Sequence, residues 1–298
     1  MPDHILDFSR EACWLGVEGA LLVVRRTGYP EFKLRMDEIA SLCVSQPSST
    51  VSFRALGALA AAGAIVVVCD ERHSPTGMMM PLANHHAQTP RFIAQAAMAA
   101  PRRKRLWRQV VKAKIRQQAA VLEAAGHDAT PLRTMQTRVM SGDTTNIEAQ
   151  AASVYWPILF GSDFRRDRDE PTINALLNYG YAVLRSTMTR AICAHGLHPT
   201  LGLMHHHREN PFCLSDDLIE PYRPLVDLAV LRHAKSGGPL ELLPAVKVAL
   251  VNAIATRVRT AKTERTLFDR SARTARSLVA VILRERLTLS LPEWIPDA

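Results

Sequence analysis

Cysteine is sparse in this chain and never comes in a Cys-x-x-Cys pair: Cys13, Cys43, Cys69, Cys193 and Cys213 are odd in number and widely scattered. That excludes a disulfide framework and a zinc ribbon, and it fits buried thiols in a reducing compartment. A long hydrophobic run is also missing. The best candidate, Ala55 to Cys69, is fifteen residues with two glycines, whereas a membrane span needs about 20 apolar residues. The opening MPDHILDFSR is polar and acidic, unlike a secretory leader. These absences predict a soluble, cytoplasmic protein with no membrane partner. Internal repeats and low-complexity tracts are absent as well.

The chain has 298 residues, 47% of them hydrophobic and 22% charged, enough for one large domain or two ordinary ones. Its formal charge of +9 favours a polyanionic partner. Acids are missing altogether from Pro101–Leu122, PRRKRLWRQVVKAKIRQQAAVL, which carries eight basic residues. Spacings of three and four line up Arg102, Arg105, Arg108, Lys112 and Arg116, with Trp107, Val110, Val111, Ile115 and Leu122 opposite. A solvated surface helix is the plain reading. Uncompensated cations repel one another, so phosphate is the better account. Neutralising about five phosphates of a duplex gives a log K against log salt slope of roughly −4.5. A second basic cluster runs through Arg257, Arg259, Lys262, Arg265, Arg270, Arg273 and Arg276.

Residues 1–81 read as a small β-rich domain. Cys13–Val17 and Ala20–Arg25 flank Glu18-Gly19 as a hairpin, and Phe32, Leu34 and Met36 alternate as in a half-buried strand. Ser49 or Thr50 is placed to cap a helix ending at Gly63, followed by a buried strand over Ala64–Cys69 and a last strand at Met78–Met80. Residues 82–90 read as a linker. Residues 91–298 show helical spacing, with helices over Pro90–Ala100, Arg102–Ala125, Asn146–Phe160, Thr172–His195, Asp216–His233, Glu241–Arg259 and Thr263–Arg286. The class is α+β, a β domain ahead of a larger all-α one.

Chemistry concentrates in Gly196–Asp227, GLHPTLGLMHHHRENPFCLSDDLIEPYRPLVD. Leu201-Gly202-Leu203-Met204 delivers His205 from a packed apolar element, which favours it over His206 and His207 as a fixed ligand. Ser215 is placed to cap a helix carrying Asp216, Asp217 and Glu220. Acids there complement the helix dipole, yet Asp217 and Glu220 also share a face. Pro221 and Pro224 point to a shaped site or a plain helix break. Upstream, Glu148 follows Thr145 as Thr-x-x-Glu, first of all a helix cap. Two carboxylates and an imidazole suit one divalent metal, the usual means of cutting or joining phosphodiesters.

The segments LWRQVVKAKIRQQAAVL (106–122), GDTTNIEAQAASVYWPILFG (142–161), NALLNYGYAVLRS (174–186), GLHPTLGLMHH (196–206) and NPFCLSDDLIEPYRPLVD (210–227) run in one order across the middle of the chain. Together they resemble the CRISPR-associated endonuclease–integrase of the spacer-acquisition (adaptation) module, in its type II form. The resemblance implies an N-terminal β-sandwich joined to an α-helical catalytic domain. It implies Glu148, His205 and Glu220 as ligands of Mg2+ or Mn2+, with Asp217 supporting them. It also implies a homodimer, two such dimers flanking a dimer of a small companion adaptation protein, and double-stranded DNA as substrate. The reaction implied is transesterification, a fragment's 3′-hydroxyl attacking the repeat boundary. A histidine-rich metallonuclease using His206 and His207, and a non-catalytic DNA-binding scaffold, are the alternatives.

Overall fold

The computed structural model describes residues 4–8, 11–44, 46–69, 75–82, 87–167, 170–255, 258–259 and 264–293. Strands β1 (His4–Phe8), β2 (Cys13–Glu18), β3 (Leu21–Arg26), β4 (Phe32–Arg35), β5 (Ile39–Val44), β6 (Thr50–Val51), β7 (Ile65–Cys69) and β8 (Pro75–Met79) form two four-stranded sheets. One runs β1-β5-β7-β8 and the other β4-β3-β2-β6. Leu15, Leu22 and Val24 of the second sheet share a buried cluster with Ile39, Leu42 and Val66 of the first and with Ala55 and Leu59 of helix α1 (Phe53–Ala61). Alternating side chains from both sheets thus bury one apolar layer, as in a sandwich.

Local chemistry shifts several predicted boundaries. The β2–β3 hairpin turns on Gly19-Ala20, one residue later than predicted, with Glu18 paired to Leu21 and Gly19 at φ +58°. The β4 alternation yields a short, mostly exposed strand, and Met36 is buried in a 3-10 turn beyond it. Ser52, not Ser49 or Thr50, caps α1 by accepting from the Ala55 amide. Strand β5, central and parallel to both neighbours, escaped the sequence reading. Its Ile-Ala-Ser-Leu-Cys-Val run has neither alternation nor turn residues to mark it.

Beyond Pro90 the described chain is helical: α2 (Gln88–Ala96), α3 (Ala100–Ala124), α4 (Thr130–Arg138), α5 (Ile147–Phe160), α6 (Ile173–Ala194), α7 (Cys213–Ile219), α8 (Arg223–Lys235), α9 (Pro244–Ala255) and α10 (Leu267–Ile282). Helix α2 begins inside the stretch predicted to be linker, and a small ribbon pairs β9 (Val258–Arg259) with β10 (Glu264–Arg265). Helix α4, polar and nine residues long, had no apolar period to announce it. Helix α3 is the axis. Leu106, Trp107, Val110, Val111, Ile115, Ala119 and Leu122 are buried at helical spacing, and the helix touches α4, α5, α7 and α8. Helix α6 packs on β5 and β7, joining the two units. Among the described residues, no helix is long and apolar enough to cross a membrane.

Candidate metal centre and cationic groove

Glu148 enters from the first turn of α5, and an unusual turn puts it there. Gly142, Asp143 and Asn146 all have positive φ (75°, 48° and 53°). The Asp143 carboxylate accepts from the amides of Ile147 and Glu148 at 2.9 Å each. Asp143 is therefore the cap, in place of the predicted Thr145–Glu148 pairing, and the Glu148 side chain is free to point elsewhere.

Glu220 sits where the helix predicted over Asp216–His233 breaks. Helix α7 starts at Cys213, so Ser215 is not its cap but an interior residue bonded to Thr189 at 2.8 Å. Pro221 cannot donate to the α ladder, and Glu220–Tyr222 tightens into a 3-10 turn before α8 resumes. The buried Glu220 carboxylate faces the Lys114 ammonium of α3 at 2.6 Å and the Arg223 guanidinium at 3.0 Å. Lys114 also contacts Glu148 at 2.6 Å. Burial works against the charge on Lys114, but Glu220 and Glu148 outweigh it and hold its pKa above the ordinary lysine value. Burial alone would raise the Glu220 pKa, yet Arg223 and Lys114 bring it below the usual carboxylate range.

His205 is fixed by Asp217. The fully buried carboxylate accepts from the amides of Leu203 and Met204, and it lies 2.6 Å from His205 Nδ1. Gly202 makes this turn possible: a Cβ there would lie 2.4 Å from the His205 carbonyl oxygen and 3.0 Å from Asp217 Oδ2. Trp107 of α3 meets the imidazole edge-on at 5.5 Å. The Asp217 hydrogen bond raises the His205 pKa over the opposing effect of burial, and Glu220 and Glu148 add to the rise. All three predicted ligands therefore sit within one another's electric field. His205, His206 and His207 are all exposed, and it is the His205 ring that Asp217 holds.

Among the described residues, no three His, Cys, Asp or Glu side chains close on a common point as they stand, and Lys114 lies between the two carboxylates. The donor set nevertheless fits a divalent ion. Glu220 Oε2 is buried without an aligned hydrogen bond, both carboxylates offer hard oxygen, and Asp217 occupies Nδ1 so that His205 Nε2 remains available.

Behind Glu220 a polar chain was invisible to sequence reasoning. Arg223 lies over the Tyr181 ring at 4.9 Å, and the Tyr181 and Tyr155 hydroxyls both donate to Asp227. Burial outweighs those two hydrogen bonds and pushes the Asp227 pKa up to about 7.

The basic stripe divides. Lys104, Arg105, Arg108 and Lys112 line an open groove of about 570 Å³ together with Ser141. Arg108 also donates from Nε to the Val139 carbonyl at 2.8 Å; Arg102 reaches the Val281 carbonyl of α10, and Arg116 donates to the Pro292 carbonyl and pairs with Glu293 at 3.4 Å. Lys112 and Lys114, two residues apart, point about 200° apart around α3, so groove and carboxylates occupy different faces. In the second basic cluster, Arg257 and Lys262 lie outside the described residues.

The two-sheet unit followed by this helical domain is the architecture of the CRISPR-associated endonuclease–integrases. The chain belongs to the Cas1 family: the family model described as CRISPR associated protein Cas1 matches residues 8–238. It is 39% identical over 244 residues to the CRISPR-associated endonuclease Cas1 of Neisseria meningitidis serogroup C (strain 8013), covering 80% of this chain and 79% of that one. In fold it is similar to a casposase bound to integration product (TM-score 0.82, 22% identity, 100% and 96% of the two chains). It is also similar to a Cas6-RT-Cas1 chain in a complex with Cas2 (TM-score 0.79, 16% identity, 100% and 37%).

Proposed function

We propose that this chain inserts short DNA fragments into a CRISPR array by phosphodiester transesterification, at a Mg2+ or Mn2+ centre held by Glu148, His205 and Glu220. The observation that carries the reading is the convergence of Glu148 and Glu220 on one cationic group, 2.6 Å from each, beside an imidazole that Asp217 orients. A fragment's 3′-hydroxyl attacks phosphorus at the repeat boundary. A new P–O bond forms, the old P–O3′ bond breaks, and the released 3′-oxygen takes up a proton. One ester replaces another, so no nucleotide cofactor is consumed. A bound divalent ion supplies Lewis-acid polarisation of a non-bridging oxygen and stabilises the attacking or leaving oxygen.

The chain's own groups do the positioning. Asp217 fixes the imidazole with Nε2 available, and Asp143 fixes the start of α5 so that Glu148 projects inward. The groove of Lys104, Arg105, Arg108 and Lys112 holds duplex backbone. With water as nucleophile the same site cuts DNA. The working assembly is a homodimer, with two dimers flanking a small companion adaptation protein in the cytoplasm. The presence of Cas2 with a similarly folded chain supports the companion. The domains are residues 1–81, for dimer and companion contacts, and 91–298, for catalysis, with α2 already starting at Gln88 within the 82–90 joint.

A strand-transfer assay tests the reading. Protein, companion, labelled fragment and a supercoiled repeat plasmid are expected to give joined product with Mg2+ or Mn2+ and none with EDTA. His205→Ala should abolish joining while His206→Ala and His207→Ala should not. Joining that survives EDTA or Glu220→Ala would overturn it.

A further inference from the structure

Lys114 is a basic residue of α3 that faces away from the groove and into the carboxylate site. Its ammonium lies 2.6 Å from Glu148 Oε1 and 2.6 Å from Glu220 Oε2, with only 12% of its side chain exposed. An ion bound to those same oxygens at about 2.0–2.1 Å would need the gap the ammonium fills. Two cations cannot share it. Without either, Glu148 and Glu220 would face each other with Arg223 left to neutralise Glu220, in a site that buries Glu220 almost completely, a costly arrangement.

We infer that Lys114 is a positioning residue that holds the place of the metal: its ammonium keeps Glu148 and Glu220 gathered and neutralised before the ion arrives, and must withdraw for the ion to bind. The inference rests on the metal-site reading proposed above. It makes metal affinity a competition. The ion binds only the fraction of molecules in which the lysine has left, so apparent affinity falls by that fraction. If the withdrawn state is about a tenth of the population, removing the ammonium tightens binding about tenfold. Lys114 thereby sets the metal concentration at which the centre forms, and it guards the carboxylate pair against repulsion in the empty state.

The test is Mn2+ binding by titration calorimetry together with thermal unfolding in EDTA and in saturating Mn2+, on the full chain. Lys114→Gln and Lys114→Met should bind Mn2+ about tenfold more tightly than the unaltered protein. They should melt lower than it in EDTA, and regain its melting temperature in saturating Mn2+. Lys114→Arg, which keeps the competing charge, should show no tightening. Unchanged or weaker Mn2+ affinity in the Gln and Met variants, or a melting deficit that persists in saturating Mn2+, would overturn the inference and leave Lys114 a structural ion pair. The metal-site reading fails separately, through undiminished Mn2+ binding after Glu148→Gln with Glu220→Gln. Neither reading survives if the unaltered protein binds no Mn2+.

Discussion

A carboxylate that accepts from two backbone amides and an imidazole is a brace, and Asp217 is that brace for His205. Replacing it with Asn keeps the size but puts an amide donor where an acceptor is needed, so the ring loses both its tautomer and its orientation. Asp217→Asn is expected to lower Mn2+ affinity about 10–100-fold while the fold persists; calorimetry beside circular dichroism checks this, and unchanged affinity would count against the brace. Residue identity made the ligand candidates legible, because an apolar run ending in histidine and a glutamate ahead of proline are local signals. What remained illegible was which partner each side chain meets. By sequence Lys114 is one more charge on a basic helix, and nothing local singles out Asp143. Their roles depend on a side chain 34 positions away for Lys114 and on a backbone amide 5 positions away for Asp143. Thr145 was read as the cap because Thr-x-x-Glu is the commoner local solution, and the left-handed backbone at Asp143 and Asn146 overrode it.

At the scale of elements, the long helices were readable from their apolar period. Helix α7 and its 3-10 continuation were readable only as a disturbance around Pro221 and Pro224. Helix α8 is tied to α5 and α6 through Asp227, which both Tyr155 and Tyr181 contact. Its folded pKa, raised to about 7, lies above that of an unfolded aspartate, so the native state binds the proton more tightly. The stabilisation is fully present below about pH 4 and is lost as pH rises towards 7. Denaturant midpoints across that range should therefore show wild type losing stability relative to Asp227→Asn as pH increases. A constant difference between the two proteins would show that Asp227 does not titrate there. The short polar helix α4 and strand β5 were missed for opposite reasons, one having too little apolar pattern and the other too uniform a one.

For the molecule as a whole, composition gave the partner's sign and pattern gave the order of the two units, but neither could show that the basic stripe would be shared out. Three of its side chains, Arg105, Arg108 and Lys112, line the groove together with Lys104, while Arg102 reaches the end of α10 and Arg116 holds the C-terminal segment. Duplex binding should therefore show a log K against log salt slope near −3.6, about four phosphates, in place of the −4.5 expected from five. Arg108→Ala with Lys112→Ala should reduce its magnitude by about 1.8, whereas Arg102→Ala should leave the slope unaltered. Fluorescence anisotropy across a salt series separates these outcomes, and a slope that tracks Arg102 equally would return the stripe to a single surface.

The claim on which the rest depends is that Glu148, His205 and Glu220 grip one ion. Anomalous diffraction from crystals soaked in Mn2+ locates it directly. The account predicts a peak within about 2.0–2.3 Å of a Glu148 oxygen, a Glu220 oxygen and His205 Nε2, with the Lys114 ammonium moved aside. A peak that lacks any one of those three contacts, or Mn2+ bound only at His206 and His207, would contradict it.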